Sequence, residues 1–92
     1  MNYEWDAQKN EENIRKHRID FLDVPDIFNG PMLIDLDDRV DYGEERWIDV
    51  GLLRDLVAVV VFVERVHDTI RIISARKATN YKRQRYDEAF TH

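Results

Sequence analysis

The stretch RIISARKATNYKRQRY, residues 71–86, decides the fold of this chain. Its first part, together with the two residues before it, predicts a β-strand at residues 69–76. Thr79 follows in the position of an N-cap, so a helix is predicted at residues 80–90. The segment therefore predicts a strand that runs almost directly into a C-terminal helix.

The same region concentrates the positive charge of the chain. Residues 65–86 carry seven Lys or Arg and one Asp, a net charge of +6, whereas residues 1–64 carry −9 and residues 87–92 carry −2. A charge run is most often a solvated surface. Lys77 and Lys82, however, flank the start of the predicted helix, where the helix dipole disfavours cations. An anionic partner is therefore the better explanation.

Three further strands are predicted before this segment. Residues 56–63, LVAVVVFV, are almost wholly apolar, as expected of a central strand that is buried on both faces. An edge strand is predicted at residues 32–38 and another strand at residues 45–53. The predicted turns are Asp41-Tyr42-Gly43, Arg54-Asp55 and Val66-His67-Asp68. Four strands joined by short turns predict an antiparallel meander.

Two helices are predicted before the strands. Asp6 is placed to cap the first, at residues 7–16, and Asp20 is placed to cap the second. Pro25 lies inside the second helix and should kink or shorten it, and the Asn-Gly-Pro sequence at residues 29–31 should end it. The predicted fold is α+β, with two N-terminal helices, a four-stranded antiparallel meander sheet and a C-terminal helix.

Composition excludes several classes of protein. Ninety-two residues suffice for one domain with a single core. Without cysteine, a disulfide, a thiolate nucleophile and a Cys-based metal site are excluded. The N-terminus lacks a secretory signal, and the longest apolar run is far shorter than the roughly 20 residues that cross a bilayer, so a cytoplasmic location is expected. His17, His67 and His92 lack metal-binding spacing, so neither a metal nor a cofactor is expected.

Basic and aromatic residues in the decisive stretch suit a nucleic-acid partner. Arg71 and Arg76 on the strand could bind phosphates through bidentate guanidinium contacts. Tyr81 and Tyr86 lie among the basic residues and could stack on unpaired nucleobases. For Tyr86, an ordinary core contact is an equal alternative.

Two residues are candidates for proton transfer. His17, at the end of the first helix, could be a general acid or base, or it could simply cap the helix. Glu64, at the end of the buried strand, is a second candidate base, with an ion pair to the adjacent Arg65 as its structural alternative. The chain has no glycine-rich phosphate loop, nucleophile elbow or Ser-His-Asp arrangement, which argues against nucleotide hydrolases and esterases.

Residues along nearly the whole chain match the pattern of a known family. They are Glu4-Trp5-Asp6, Lys9, Asn13, Lys16-His17, Ile19, Phe21, Phe28, Pro31, Glu44-Glu45-Arg46, Gly51, Tyr86 and above all RIISARKAT at residues 71–79. On these grounds the chain resembles the BrnT-type toxins, the ribonuclease half of a bacterial type II toxin–antitoxin pair. Two positions depart from the pattern, because Arg18 replaces a usual glycine and Lys82 replaces a usual acid.

The resemblance implies a fold similar to the RelE-type ribonuclease toxins, formed by residues 1–92 as a single toxin domain. It implies RNA cleavage, here expected to be metal-independent, that blocks translation and arrests growth. It also implies a BrnA-like antitoxin with a ribbon-helix-helix domain that binds DNA. Operator DNA would then be bound only through the toxin–antitoxin complex.

The hypothesis assigns residues to two roles. The residues expected at the reacting phosphate are His17, Glu64, Arg65, Arg76 and Tyr86. The residues expected to bind RNA are Arg71, Lys77, Tyr81, Lys82 and Arg83. An alternative is a non-catalytic module that binds the antitoxin and acts as a transcriptional co-repressor. The acidic N-terminal half would suit this function, because it could bind a basic segment of the antitoxin. RNA cleavage would distinguish the two functions.

Overall fold

The computed structural model of the chain describes residues 1–38 and 43–90. Asp41 and Tyr42 of the predicted turn, and His92, lie outside the described residues. The elements in chain order are β1 (Asn2–Glu4), α1 (Ala7–His17), a 3₁₀ helix (Phe21–Asn29), β2 (Met32–Asp37), β3 (Arg46–Leu53), β4 (Leu56–Arg65), β5 (Thr69–Lys77) and α2 (Asn80–Phe90).

The sheet has five strands in the order β1-β5-β4-β3-β2. The antiparallel meander from β2 to β5 is confirmed. The prediction of four strands is wrong, because β1 adds a fifth strand parallel to β5 and makes the sheet mixed, with Tyr3 opposite Ile70. The Tyr3 ring packs on the Phe28 ring with centroids 5.7 Å apart. This contact joins residues far apart in the sequence, so it forms only in the folded protein. Three residues are too few for a sequence pattern to mark a strand.

The second predicted helix is present, but it is a 3₁₀ helix. Phe21, Val24 and Ile27 are spaced three residues apart and are completely buried. A 3₁₀ helix has three residues per turn, so this spacing places all three side chains on one side. Pro25 has no N–H to donate to a regular α-helical ladder. The cap at Asp20 is confirmed, since its carboxylate accepts a hydrogen bond from the Leu22 N–H at 3.0 Å.

The core lies on both faces of the sheet. We call the face covered by the 3₁₀ helix the front face and the face covered by α2 the back face. The buried front-face residues are Ile19, Phe21, Val24, Ile27, Leu53, Ala58, Val60, Phe62, Ile70, Ile72 and Ala75. The buried back-face residues are Val50, Val57, Val59, Ala78 and Tyr86. β4 contributes to both sets, which confirms the prediction of a central strand buried on both faces.

The turn after α1 is strained at Arg18. Its backbone adopts the left-handed conformation, with φ 60° and ψ 28°, and its N–H donates to the Ile14 carbonyl at 2.9 Å. A residue with a Cβ pays roughly 1–2 kcal/mol for this conformation, and glycine does not. The geometry therefore explains why a glycine is expected at this position.

Gly51 lies where β3 touches the 3₁₀ helix. A Cβ at this position would lie 2.6 Å from Cγ1 of the fully buried Ile27. We expect Gly51→Ala to lower the free energy of unfolding by about 1–3 kcal/mol, because the core must shift to admit the methyl group. Urea unfolding measures this change. The control Gly30→Ala should leave stability nearly unchanged, since within the described part of the chain no atom beyond the two neighbouring residues lies within 4 Å of its Cβ position. Equal losses in both variants would contradict the prediction.

Among the described residues, no helix is both long and apolar enough to span a membrane.

Candidate functional site

A polar pocket forms where α1 lies against β5. Five polar residues of α1 recur at helical spacing and so share one side of the helix. With two residues of β5 they line a pocket of about 220 Å³. The lining residues are Lys9, Glu12, Asn13, Lys16, His17, Ile73 and Ser74. All except Glu12 belong to the pattern that carries the family resemblance. The pocket therefore brings together residues from the early part and the late part of that pattern.

Asn13 holds α1 against the sheet. Its side chain is buried, donates from Nδ2 to the Ile19 carbonyl at 2.9 Å and accepts at Oδ1 from the Ala75 N–H at 3.1 Å. The second bond satisfies a backbone group of β5 beyond the point where β1 ends. Because Asn13 bonds both β5 and the chain after α1, it fixes the distance between the two walls of the pocket.

α1 is also tied through Asn10 to the start of the 3₁₀ helix. Asn10 donates from Nδ2 to Asp20 Oδ1 at 3.0 Å and accepts at Oδ1 from the Phe21 N–H at 2.9 Å. Hydrogen bonds from the Leu22 N–H and from Asn10 lower the pKa of Asp20. Lys16 and His17 are exposed beside this fixed turn.

Arg76 adjoins the pocket along β5. Ser74 lies opposite Val61 and Arg76 lies opposite Val59, so both point to the back face, about 7 Å apart along the strand. The Arg76 side chain is exposed and has no ion-pair partner among the described residues. Lys77 is exposed on the other face of the same strand end.

Glu64 and Arg65 lie at the opposite end of the sheet. Arg65 is opposite Thr69 at the start of β5. Arg76 is seven positions after Thr69, a distance of about 23 Å in a strand. Arg65 Nη2 also lies 3.7 Å from Glu44 Oε2. The structure therefore does not bring Glu64 and Arg65 together with His17 and Arg76 at one phosphate.

Arg71 is engaged with β1. Its Nη1 lies 2.7 Å from Glu4 Oε2, and the two residues are opposite each other in the parallel pair of strands. This cross-strand pair ties β1 to β5. A phosphate at Arg71 would have to share the guanidinium group with the Glu4 carboxylate.

Tyr86 is part of the back-face core. Its hydroxyl donates to the Pro31 carbonyl at 3.2 Å, and its ring packs on Phe90 with centroids 4.9 Å apart. Burial raises the pKa of Tyr86, and the charges of Asp49 and Asp87 raise it further. This placement favours the core contact over a role in proton transfer.

The remaining predicted RNA-binding residues lie on α2. Tyr81 and Lys82 line a groove of about 240 Å³ between α2 and the strands β2 and β3, and Arg83 is exposed. Tyr81 is 68% exposed, which leaves its ring free to stack on a base. The back-face floor of the groove is apolar, formed by Leu33, Ile48 and Val50.

Of the seven residues that line the pocket, sequence reasoning assigned a role only to His17. It missed Lys9, Glu12, Asn13, Lys16, Ile73 and Ser74. The available signal was the helical spacing of Lys9, Glu12, Asn13, Lys16 and His17. Such spacing usually identifies an apolar face, and here the repeating residues are polar. Among the described residues, no cluster of three or more His, Cys, Asp or Glu is placed to hold a metal ion.

The largest electrostatic perturbation lies away from the pocket, at Asp49. This residue is on the front face opposite Val60, is completely buried, and has no hydrogen-bond partner for either carboxylate oxygen among the described residues. Burial raises its pKa from 3.8 to about 7. Nothing in the sequence pattern distinguished Asp49 from the exposed acids around it.

The chain is similar to one protein family over most of its length. The family described as ribonuclease toxin, BrnT, of type II toxin–antitoxin system matches residues 5–82. The 1.1 Å crystal structure of the Brucella abortus ribonuclease toxin, BrnT, superposes with a TM-score of 0.68 at 24% sequence identity, covering 87% of this chain and 99% of that chain. No curated protein matches the chain. At this identity, the structural likeness shows a shared fold.

Proposed function

Because the chain belongs to the family of BrnT ribonuclease toxins of type II toxin–antitoxin systems, we propose that it cleaves RNA at the pocket between α1 and β5. The observation that carries this proposal is the convergence of Lys9, Lys16 and His17 of α1 with Ser74 of β5 in one pocket, with Arg76 two positions further along the same face of β5. Cations beside groups that can transfer protons are what phosphodiester cleavage requires.

The proposed reaction needs only the side chains of the pocket and that of the adjacent Arg76. The 2′-oxygen of the RNA attacks the adjacent phosphorus, the bond from phosphorus to the 5′-oxygen breaks, and a 2′,3′-cyclic phosphate and a 5′-hydroxyl result. His17 and Glu12 transfer the protons, one removing the 2′ proton and the other protonating the leaving oxygen. Lys9, Lys16 and Arg76 stabilise the negative charge that develops on the phosphate oxygens.

The other predicted site residues do not act on the reacting phosphate in this proposal. Lys77, Tyr81, Lys82 and Arg83 would bind nucleotides beside the scissile phosphate, through charge and stacking. Arg71 would contribute only a shared contact because of its pair with Glu4. We assign no catalytic role to Glu64, Arg65 and Tyr86, given their distance from the pocket or their burial.

The family implies an antitoxin partner. We infer that this partner is a BrnA-like ribbon-helix-helix protein and that operator DNA is bound through it. We further infer that RNA cleavage follows the RelE-type pattern, acts in the cytoplasm, arrests growth, and is performed by residues 1–92 as one domain.

Incubation of the purified chain with a short RNA in EDTA tests the proposal. We expect cleavage with a cyclic phosphate and a 5′-hydroxyl at the new ends. The matched control is the same oligonucleotide with a single 2′-deoxy nucleotide at the cleaved position, which should stay intact because it lacks the attacking oxygen. Cleavage of the control would refute the mechanism, and a requirement for divalent metal would refute metal independence.

The alternative function is a module that binds the antitoxin and represses transcription without cutting RNA. The observation that favours it is the strongly acidic first half of the chain, which suits a basic partner. Intact RNA in the same assay, with the antitoxin still bound, would select this alternative.

A further inference from the structure

β2 is an open edge of the sheet. It pairs through six residues with β3, and no strand of the described part of the chain lies on its outer side. An edge strand presents unpaired N–H and C=O groups that a further strand can bond. The sequence MLIDLD in β2 has neither the proline nor the lysine that often protects such an edge.

Two apolar side chains of β2 are exposed at alternate positions. Ile34 is 46% exposed and Leu36 is 45% exposed. They lie opposite Asp49 and Trp47 of β3, so both point to the front face. An added strand would place its own side chains beside them and cover this apolar surface.

The chain around this edge is strongly acidic. Residues 19–38 contain six acids and no Lys or Arg: Asp20, Asp23, Asp26, Asp35, Asp37 and Asp38. The 3₁₀ helix that carries two of them packs on β3, next to β2. Asp23 is paired with Arg54 at 3.0 Å, and Asp37 is buried on the back face. Asp35 also lies on the back face, in the groove that Lys82 and Arg85 of α2 line. The acids still outnumber the cations around the edge. A second copy of this edge would be repelled, whereas a basic segment would be attracted.

We propose that the outer edge of β2 binds an extended basic segment of the antitoxin as a sixth strand, an inference that rests on the proposed toxin–antitoxin function. Backbone hydrogen bonds to β2 hold the segment, its apolar side chains cover Ile34 and Leu36, and its cations lie among the acids. β2 and β5 are separated by two strands, a distance of about 14 Å. Binding at the edge can therefore be tested separately from cleavage at the pocket.

The test uses the variant Ile34→Lys, Leu36→Lys and a short peptide that alternates valine and lysine. For the natural chain, we expect the peptide to slow hydrogen exchange of β2 amides and to bind at least about tenfold more tightly than a valine–glutamate peptide. The double variant should lose about tenfold or more in affinity. The control Leu52→Lys changes a leucine of β3 that is 47% exposed on the back face, and it should bind like the natural chain.

Co-expression with the antitoxin gives the matching test in cells. The double variant should still arrest growth when the antitoxin is co-expressed, while its unfolding by urea matches that of the Leu52→Lys control. Equal affinity for the two peptides, protection of amides outside β2, or full neutralisation of the double variant would overturn the proposal. A dimer in sedimentation that the double variant abolishes would assign the edge to a second copy and would also overturn the proposal.

Failure of the natural chain to cleave RNA would refute the proposed ribonuclease function. The peptide measurements would still decide whether the edge of β2 binds a basic strand.

Discussion

Replacement of His17 by alanine is expected to lower the rate of RNA cleavage by about 10²–10⁴-fold, the usual contribution of a general acid or base. His17 is exposed in the pocket beside Lys16, and its side chain has no hydrogen-bond partner among the described residues. Its removal therefore leaves no buried group unsatisfied. Stability should fall by at most about 1 kcal/mol, through the lost interaction with the C-terminus of α1.

Single-turnover cleavage and urea unfolding check this prediction together. His67 provides the matched control, because it is an exposed histidine in the turn between β4 and β5, at the far end of β5. His67→Ala should cleave at the natural rate. Lys16→Ala should mainly raise KM if Lys16 binds the phosphate in the ground state, whereas His17→Ala should mainly lower kcat. Natural activity in His17→Ala would remove the residue from the mechanism.

Replacement of Asp49 by valine is expected to raise the free energy of unfolding by up to about 4 kcal/mol at pH 8. The buried carboxyl group has a pKa of about 7 instead of 3.8, which corresponds to about 4 kcal/mol of penalty once it is ionised. Below about pH 4 the carboxyl is protonated in both states, and the penalty is absent. Between pH 4 and pH 7 the unfolded state releases its proton first, so the natural chain loses stability as the pH rises.

Urea unfolding between pH 4 and pH 8 measures this effect as the difference between variant and natural chain, in which the other titrating groups cancel. Asp49→Asn keeps the shape and polarity but cannot ionise, so it should remove the pH dependence and recover only part of the stability. The control is Asp35→Asn, which replaces an exposed acid on the adjacent β2. It should change neither the pH dependence nor the free energy of unfolding. A constant difference between Asp49→Val and the natural chain from pH 4 to pH 8 would show that Asp49 does not carry the penalty.

The helix starts were predictable because each depends on residues close in sequence. The Asp6 carboxylate accepts a hydrogen bond from the Lys9 backbone N–H at 3.0 Å, and Thr79 Oγ1 accepts one from the Lys82 backbone N–H at 3.3 Å. Both caps were expected from residue type alone, since the capping bond spans only three positions. The pairing of β2 to β5 followed in the same way from short turns between apolar runs.

The site was only partly predictable. Of the predicted site residues, His17 lines the pocket, and Arg76 lies two positions along β5 from the pocket residue Ser74. The sequence pattern also grouped Arg65 with Arg76 because both are basic and eleven positions apart. The antiparallel pairing of β4 with β5 sends them to opposite ends of the sheet instead. Tyr86 lies among basic residues in the sequence, yet its ring is buried against the back face.

The sequence by itself determined the helix caps, the central position of β4, the order of the meander and the family. These features depend on residue type and on periods of two to four residues. The tertiary structure decided that β1 joins the sheet, that the basic residues separate, and that α1 meets β5 through Asn13 and Ala75. Asn13 and Ala75 are 62 positions apart. No local period encodes such a contact, because it forms only when the core brings the two segments together.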